Sequence, residues 1–259
     1  MIVKKLGIGT LLLVMFLVGI AFVPAVNAQV DTNIEITSNE DSPRKLSDEE
    51  AAVVKQKIMN RLLEKVKQNP DKVYRVMVQV WDNKAIDKLQ NIDVIERSNN
   101  RCIINAEGKV LEEILKNKLD GEHNKINLIV EVPETSENSI NKTNKSEDLS
   151  PTSTYRTYNF AGGISPPNDC DDWWSWSIRS NEDRIKIDSN LYDWVNCDVD
   201  LTLYDPNLNF KAQDTYEYNG LYVQSNTNGV SGKWQWQYWG EFLDSDGTGY
   251  SGTNTAYDD

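Results

Sequence analysis

The sequence predicts two modules, a small α+β module followed by an all-β antiparallel sandwich. Residues Cys197 to Tyr204 alternate apolar and polar side chains and stop at Asp205-Pro206-Asn207, which is typical of a strand with one buried face. Residues 151–259 hold 17 acidic and 6 basic side chains and so carry most of the net charge of -13. Residues 133–154, rich in Ser, Thr, Asn and Glu, separate this acidic half from the first module.

The first 28 residues have the pattern of a secretory signal peptide. Two lysines precede an apolar run from Leu6 to Val26, and Val26-Asn27-Ala28 offers small residues for cleavage. Because the apolar run is long enough to span a bilayer, an uncleaved N-terminal anchor is the alternative. In either case the rest of the chain is expected to be secreted or displayed at the cell surface.

Residues 29–46 lack an apolar period and are predicted to form a flexible leader. Ser47 and Glu50 then match a capping box, which predicts that a helix begins there. Apolar residues repeat at helical spacing until Asn69-Pro70 stops the pattern. They are Ala51, Val54, Ile58, Leu62 and Val66.

The rest of the first module, which spans residues 47–132, is predicted to have the order βαββαβ. The expected elements are a strand at 73–81, a short helix at 84–90, a hairpin of 92–96 and 101–105, a helix at 107–119 and a strand at 126–132. This is the order of a split βαβ, ferredoxin-like domain, with both helices on one face of an antiparallel sheet. Cys102 is predicted to be a buried thiol.

The same stretch resembles the inhibitor I9-type propeptide domain of subtilisin-like proteases. The resemblance rests on the order of the strand YRVMVQV, a helix, a hairpin and the helix GKVLEEILKNKL. It implies a module that binds a protease or assists its folding. Many unrelated small domains share this topology, so the topology alone does not establish that function.

Residues 133–154 are predicted to be a disordered linker between the modules. Asn141-Lys142-Thr143 and Asn144-Lys145-Ser146 both match the N-glycosylation pattern, so Asn141 and Asn144 are candidate glycosylation sites.

The second module, residues 155–259, is predicted to be a jelly-roll-like sandwich of short antiparallel strands. The expected strands are 155–160, 173–178, 184–188, 197–204, 221–225 and 233–239. In the fourth strand, Val199, Leu201 and Leu203 are expected to face the core, and Asp198, Asp200, Thr202 and Tyr204 to face water. The large residues of WSWSI and WQWQY are predicted to be core anchors rather than a sugar-binding platform.

Three segments of this module occur in a recognisable order, FAGGISPPNDCDDWWSWSI, CDVDLTLYDPNLNFKAQ and SGKWQWQYWG. Together they resemble the bacterial and archaeal pre-peptidase C-terminal domain. Leu208 stands where that family usually has the Gly of its DPNG turn, and Cys170 stands where Asp is common. The resemblance implies a non-catalytic sandwich that accompanies secreted hydrolases, with roles in secretion or attachment and, in some members, calcium-dependent stability.

Cysteine and acidic residues provide the remaining candidate sites. Cys170 and Cys197 each begin a predicted strand of the acidic half, and they are predicted to form a disulfide. Hard carboxylate ligands suit Ca²⁺, although no complete twelve-residue calcium loop is present. The candidate ligands are Asp198 and Asp200 on one strand and Asp244 and Asp246 in DSDG.

No catalytic motif is recognisable, and the protein is not expected to be an enzyme. The chain has a single histidine, His123, in the polar segment GEHNK, and it has no GxSxG or HExxH motif. The acidity disfavours nucleic acid as a partner and is also typical of halophilic proteins. No cofactor is assigned apart from calcium as a candidate.

The leading functional hypothesis is a secreted or surface-attached protein that binds an extracellular polymer, glycan or protein. Contact with a membrane is expected only through an uncleaved N-terminal segment. The alternative is a protease-associated regulator, in which the α+β module inhibits or assists a separately encoded subtilisin-type protease.

Overall fold

The structure, a computed structural model, describes residues 42–98, 100–119, 125–133, 154–164, 171–192, 197–215, 220–242 and 248–258. These residues form antiparallel sheets and two α-helices, so the predicted β-rich fold is confirmed. The predicted signal peptide, most of the leader, and the linker apart from its end residues lie outside the described ranges. None of the described helices is both long and apolar enough to cross a membrane.

The described residues of the N-terminal half form five strands, two α-helices and one 3₁₀ helix. In chain order they are β1 (Arg44–Lys45), α1 (Asp48–Gln68), β2 (Val73–Val80), the 3₁₀ helix (Asn83–Lys88), β3 (Asp93–Arg97), β4 (Arg101–Glu107), α2 (Gly108–Leu119) and β5 (Ile126–Glu131). Strands β2 to β5 form one antiparallel sheet in the order β3-β4-β2-β5, called here the module sheet.

Helix α1 begins where its capping box predicts. The Ser47 hydroxyl accepts a hydrogen bond from the Glu50 backbone N–H at 3.3 Å, and the Glu50 carboxylate accepts one from the Ser47 N–H at 3.0 Å. All five of the predicted apolar positions, from Ala51 to Val66, are buried. The helical period therefore identified the packed face of α1 correctly.

Eight strands are formed by the residues of the C-terminal half that the structure describes. They are β6 (Thr154–Ile164), β7 (Asp171–Ile178), β8 (Arg184–Leu191), β9 (Cys197–Tyr204), β10 (Phe210–Thr215), β11 (Leu221–Asn226), β12 (Gly232–Phe242) and β13 (Thr248–Asp258). One sheet has the order β11-β8-β13-β6 and is called the outer sheet; the other has the order β1-β7-β12-β9-β10 and is called the middle sheet.

The end of the predicted flexible leader is instead part of the middle sheet. Arg44 and Lys45 form β1, which pairs with Ser175 and Trp174 of β7. The Lys45 ammonium also lies 2.6 Å from the carboxylate of Asp172, which is buried. Since two residues are too few to show an apolar period, this strand could not be predicted from the sequence.

Two further strands were not predicted, β10 and β13. Strand β13 pairs with both β6 and β8, so it is central to the outer sheet although its sequence is rich in Gly, Ser and Thr. A side chain at Gly252 would lie 2.3 Å from the Asp188 carbonyl oxygen and 2.9 Å from the Phe160 ring. The close packing therefore requires a glycine at this inward-facing position. Because a glycine stands where an apolar side chain is expected, the alternation that identifies a strand is interrupted.

The outer and middle sheets pack face to face around an aromatic core. The predicted core face of β9 is confirmed, because Val199, Leu201 and Leu203 are all fully buried. The predicted role of the tryptophans as core anchors is confirmed as well. These are Trp174, Trp176, Trp234 and Trp236, which pack with Phe160 and the outer-sheet residues Ile185 and Ile187.

The opposite face of the middle sheet packs against the module sheet. Asp200, Thr202 and Tyr204, predicted to face water, are each at most 1% exposed, so that prediction was wrong. The alternation of apolar and polar residues in β9 was correctly recognised. Alternation shows that the two faces of a strand differ in polarity, but it does not show that the polar face is exposed to water. The described residues, which all lie between 42 and 258, consequently belong to one compact unit.

Candidate functional site

The contact between the module sheet and the middle sheet, called here the seam, contains a buried amide network. Gln79 of β2 and Gln237 of β12 donate to each other's carbonyl oxygens at 3.1 and 2.9 Å. Gln237 also donates to the Asp171 carboxylate at 2.7 Å. Lys55 of α1 forms an ion pair with Asp171 at 2.7 Å and donates to Asn127 at 3.0 Å, which brings α1, β5 and β7 together.

A second polar cluster in the seam surrounds Asp200. The Arg101 guanidinium lies 2.9 Å from one carboxylate oxygen of Asp200, and the Thr215 hydroxyl donates to the other at 2.6 Å. Arg101 also pairs with Glu96 at 2.8 Å. The structure therefore surrounds this predicted calcium ligand with a cation and a hydroxyl donor, which supply the charge and hydrogen-bond partners that a buried carboxylate needs.

The other predicted metal, disulfide and glycosylation sites cannot be placed. Six of these residues lie outside the described part of the chain: Cys170, Asp244, Asp246, Asn141, Asn144 and the single histidine, His123. Cys197 and Asp198 are described only as part of strand β9, without their side chains. Within the described ranges, no group of three or more His, Cys, Asp or Glu side chains is arranged to hold a metal ion. The calcium, disulfide and glycosylation assignments stay predictions.

The Cys102 thiol is buried, as predicted, on the helix-covered face of the module sheet. Burial raises the pKa of this thiol to about 11, an effect that the nearby Arg97 and Arg101 charges only partly oppose. Since the thiolate is the reactive form, Cys102 is unreactive at neutral pH.

The tight turn after β9 has Leu208 at the position where the sequence resemblance predicts a glycine. Asp205 accepts hydrogen bonds from the backbone N–H groups of Asn207 and Asn209, both at 2.9 Å. Leu208 has a φ of 60°, a left-handed conformation that a leucine adopts only at a cost of roughly 1–2 kcal/mol. The glycine expected at this position would adopt it freely. The Leu208 side chain packs against the core of the α+β module, and this contact offsets the strain.

The outward face of the outer sheet, called here the open face, is the candidate ligand surface. It lies opposite the aromatic core, and strand pairing places its residues in rows across the sheet. One row is Tyr155, Tyr257, Arg184 and Asn226; the next is Thr157, Thr255, Lys186 and Gln224; the third is Asn159, Thr253, Asp188 and Tyr222. The face thus combines aromatic rings with hydroxyl, amide and charged groups.

Tyrosines lie at both ends of the open face. Tyr155 is 61% exposed, and its ring centroid lies 6.3 Å from that of Tyr257. Tyr192 is also 61% exposed, hydrogen-bonds with Ser251 and covers Gly249. The seven residues from Ser251 to Tyr257 span about 20 Å of strand, which is long enough for an oligomeric ligand.

Two cations of the open face lie over the rings of its tyrosines. The Arg184 guanidinium lies 4.0 Å from the centroid of the Tyr257 ring, and the Lys186 ammonium lies 5.3 Å from that of Tyr222. These cation–π contacts restrict the orientation of both rings and of both cations. Lys186 additionally lies 3.9 Å from the Asp188 carboxylate.

Sequence reasoning did not find the open face, because its residues come from strands whose sequences carry no binding motif. Strand β13 is one of the two inner strands of the open face, and it was not predicted. The only available signal was the alternation in β8, where Ile185 and Ile187 face the core and Arg184, Lys186 and Asp188 face outward.

No family model matches the sequence, and no curated protein matches it. Among solved structures, the chain is similar to the pre-peptidase C-terminal domain of collagenase from Bacillus anthracis, with 15% identity and a TM-score of 0.31. That match covers 38% of this chain and 88% of the domain. The chain is also similar to the VP2 subviral particle of infectious bursal disease virus, with 10% identity and a TM-score of 0.25, over 71% of this chain and 55% of that one.

Proposed function

We propose that the protein is a non-catalytic extracellular binding protein whose open face attaches to a polysaccharide. The observation that carries this proposal is the combination of two well-exposed tyrosines, Tyr155 and Tyr192, with rows of hydroxyl and amide side chains on one rigid sheet. The signal-peptide pattern and the sequence resemblance to pre-peptidase C-terminal domains support the extracellular location.

The chemistry of the open face suits a sugar polymer. Sugar rings have flat C–H faces that pack against aromatic rings, and their hydroxyls both donate and accept hydrogen bonds. Partly or fully exposed Thr and Asn side chains on β6, Gln and Asn on β11, and Thr253 on β13 provide matching donors and acceptors. Because these groups sit on strands rather than on loops, little ordering is needed when a ligand binds.

Retention on insoluble polysaccharides tests the proposal. The full chain is mixed with cellulose, chitin, peptidoglycan or starch granules, and the bound fraction is measured at moderate salt. Retention on at least one polymer is expected, and Tyr155→Ala with Tyr192→Ala should weaken it about tenfold, since exposed aromatic anchors dominate such interfaces.

Two controls separate loss of binding from loss of folding. Tyr155→Phe with Tyr192→Phe keeps both rings and should keep most of the retention. Ile95→Ala changes a residue of β3 that is 45% exposed and lies on the other module, so it should have no effect. Retention that is absent on all four polymers, or that is unchanged in the double alanine variant, would overturn the assignment of this face.

The protease-regulator alternative requires a free surface on the α+β module. One face of the module sheet lies in the seam and the other is covered by α1 and α2. A protease would therefore have to bind an edge of the module sheet or the exposed side of one of its helices. Inhibition assays with subtilisin-type proteases test that alternative, and the absence of both inhibition and complex formation would exclude it.

A further inference from the structure

Strand β6 forms one edge of the outer sheet and is exposed to solvent. It is 11 residues long and pairs only with β13 among the described strands. Among the described residues, no backbone–backbone hydrogen bond outside the β13 ladder involves β6. Its outward-facing side chains are exposed at four successive positions, Tyr155, Thr157, Asn159 and Ala161. The free side of β6 is therefore an accessible strand edge.

Nothing in the sequence of β6 blocks pairing with another strand. Natural edge strands are usually interrupted by bulges or carry charges that prevent such pairing. The edge strands β3 and β10 follow this rule, since each has a register shift against its neighbour and several charged side chains. Strand β6 keeps one register with β13 over its whole length and contains no proline or lysine. Its one charged residue, Arg156, is paired with Glu182 at 2.5 Å.

Gly163 near the end of β6 is a glycine that the fold of a single chain does not require. Its φ is not in the left-handed region, and an added Cβ would have its nearest contact at 3.4 Å, the Thr248 carbonyl oxygen. The neighbouring Gly162 differs, because a Cβ there would lie 2.3 Å from the Tyr250 hydroxyl. A strand glycine often marks a position where another backbone or a ligand approaches closely.

The sequence of β6 is complementary in size to a second copy of itself. When two copies pair antiparallel with their Asn159 residues opposite each other, the larger residues of the first half meet small or aromatic residues. The pairs are Tyr155 with Gly163, Arg156 with Gly162, Thr157 with Ala161, and Tyr158 with Phe160. Aromatic cross-strand pairs stabilise sheets, and an aromatic ring can cover a glycine on the facing strand. A patch that meets itself in this way has two-fold symmetry.

This register would bring together two tyrosines that lie far apart in one chain. The Tyr192 backbone N–H donates to Gly249 at 2.9 Å, and Gly249 pairs with Gly163. Tyr155 of a second copy would join the same row, three strand spacings of about 4.8 Å, or about 14 Å, from Tyr192. Within one copy, Tyr155 lies about 26 Å along β6 from Gly163. The two glycines between the rings are called here the floor of the tyrosine trough.

We infer that the protein forms a two-fold dimer through β6, in which Tyr155 of each copy completes the tyrosine trough of the other. Copies that each carry a net charge of -13 repel one another, and β6 presents no carboxylate at the edge where they meet. Pairing joins the two open faces into one continuous surface. The dimer does not depend on the proposed function, whereas the binding of a sugar ring in the trough rests on it.

Sedimentation equilibrium of the full chain tests the dimer without any ligand. The wild type should associate reversibly at micromolar concentrations. Asn159→Glu and Asn159→Lys should each weaken the association by about tenfold, because like charges then face each other across the two-fold axis. An equimolar mixture of these two variants should recover a dimer. Gln224→Glu on β11, the opposite edge strand, makes the same change in net charge as Asn159→Glu and should have no effect.

Cysteine cross-linking tests the position of Tyr155 in the trough, again without a ligand. Tyr155→Cys with Gly163→Cys should give covalent dimers under mild oxidation, since opposite residues of an antiparallel pair have Cα atoms within about 5.5 Å. Thr157→Cys with Gly163→Cys is out of register by two residues and should not. Cross-linking of the second pair instead of the first would overturn the register.

Retention on a polysaccharide that binds the wild type tests whether the trough is shared. In one mixture, the Asn159→Glu copy carries Tyr155→Ala and the Asn159→Lys copy carries Tyr192→Ala, which leaves one trough with both tyrosines. In the other mixture, the Asn159→Glu copy carries both alanines, so each trough keeps a single tyrosine. The first mixture should be retained about tenfold better.

The outcomes separate the dimer from the proposed function. The inference is overturned if the wild type stays monomeric, if the mixture of charge variants does not associate, or if the two tyrosine mixtures are retained equally. A wild type that dimerises and cross-links as expected but is retained on no polymer would support the β6 interface and overturn the proposed function instead.

Discussion

The two faces of the middle sheet form two different interfaces. Toward the outer sheet, tryptophan, leucine and valine side chains fill an apolar core. Toward the α+β module, the seam buries amides, carboxylates and cations such as Gln237, Asp171 and Arg101. The first interface is stabilised by removing apolar surface from water, whereas the second depends on every buried polar group finding its partner.

The difference shows how a strand can be half polar and still wholly buried. A polar face normally meets water, because burying an unpaired polar group costs free energy. In the seam, important partners for the polar face of the sandwich come from the first 133 residues of the same chain, such as Arg101 for Asp200 and Gln79 for Gln237. The seam should therefore respond to substitution differently from the core, and four changes measure that difference.

Arg101→Met is expected to have the largest effect. It leaves the Asp200 carboxylate, 1% exposed, without its guanidinium, and an uncompensated buried charge typically costs about 3–5 kcal/mol. The free energy of unfolding is measured in urea. Arg101→Met combined with Asp200→Leu should recover most of the loss, while Arg97→Met, which removes a surface pair with Asp87, should cost less than about 1 kcal/mol. A double variant as unstable as the single one would contradict the importance of charge pairing in the seam.

Leu201→Ala tests the core side of the same strand. Leu201 is fully buried among core residues, so the cavity and the lost apolar contact should cost about 3 kcal/mol. Leu201 has no charged partner, so no second substitution on the facing sheet should recover the lost free energy of unfolding. The Arg101→Met variant differs, because removing the Asp200 carboxylate should recover most of its loss. A loss below about 1 kcal/mol in the same urea assay would mean that the sandwich core is less tightly packed than described.

Gln79→Leu should have a smaller effect of about 1–2 kcal/mol, because it deprives the buried Gln237 amide of its reciprocal partner. Changing Gln79 and Gln237 to leucine together should cost less than the sum of the single changes. Strictly additive losses in a double-mutant cycle would show that the two amides do not interact.

Glu50→Gln should give the smallest effect, and it should depend on pH. The Arg44 guanidinium holds the pKa of the Glu50 carboxyl at about 2, mainly by hydrogen bonding. A carboxyl whose pKa is lowered by folding stabilises the fold above its ordinary pKa and loses that contribution as pH falls toward 2. The wild type should therefore melt higher than the variant at pH 7 and converge with it near pH 2. A difference in Tm that is constant across this range would rule out the Arg44 contact as its source.

Much of the fold could be predicted from the sequence because the local patterns are strong. The capping box located the start of α1, and alternation located β7, β9 and β12 within a few residues. Strand β13 was missed because Gly252 and Asn254 occupy inward positions where apolar residues are expected. Strand β1 is too short to show any period.

The candidate site was less predictable, because it depends on which surfaces remain free after the layers pack. Asp200 was expected to be exposed, and only the position of Arg101 on a strand 99 residues earlier in the sequence explains its burial. The rows of the open face likewise depend on the register of β6, β8, β11 and β13. Local sequence periodicity contains no information about such long-range pairings.

Equilibrium unfolding followed by two signals tests most directly whether the seam joins both halves into one cooperative unit. Both described α-helices lie within residues 48–119, whereas seven of the eight tryptophans lie between residues 173 and 239. Far-UV circular dichroism at 222 nm therefore reports mainly on the first half and tryptophan fluorescence mainly on the second. If the buried seam couples the halves, both signals change at the same urea concentration with the same slope. If the helical signal is lost at a lower urea concentration than the fluorescence signal, the two halves do not unfold as one cooperative unit, which would contradict the coupling by the seam.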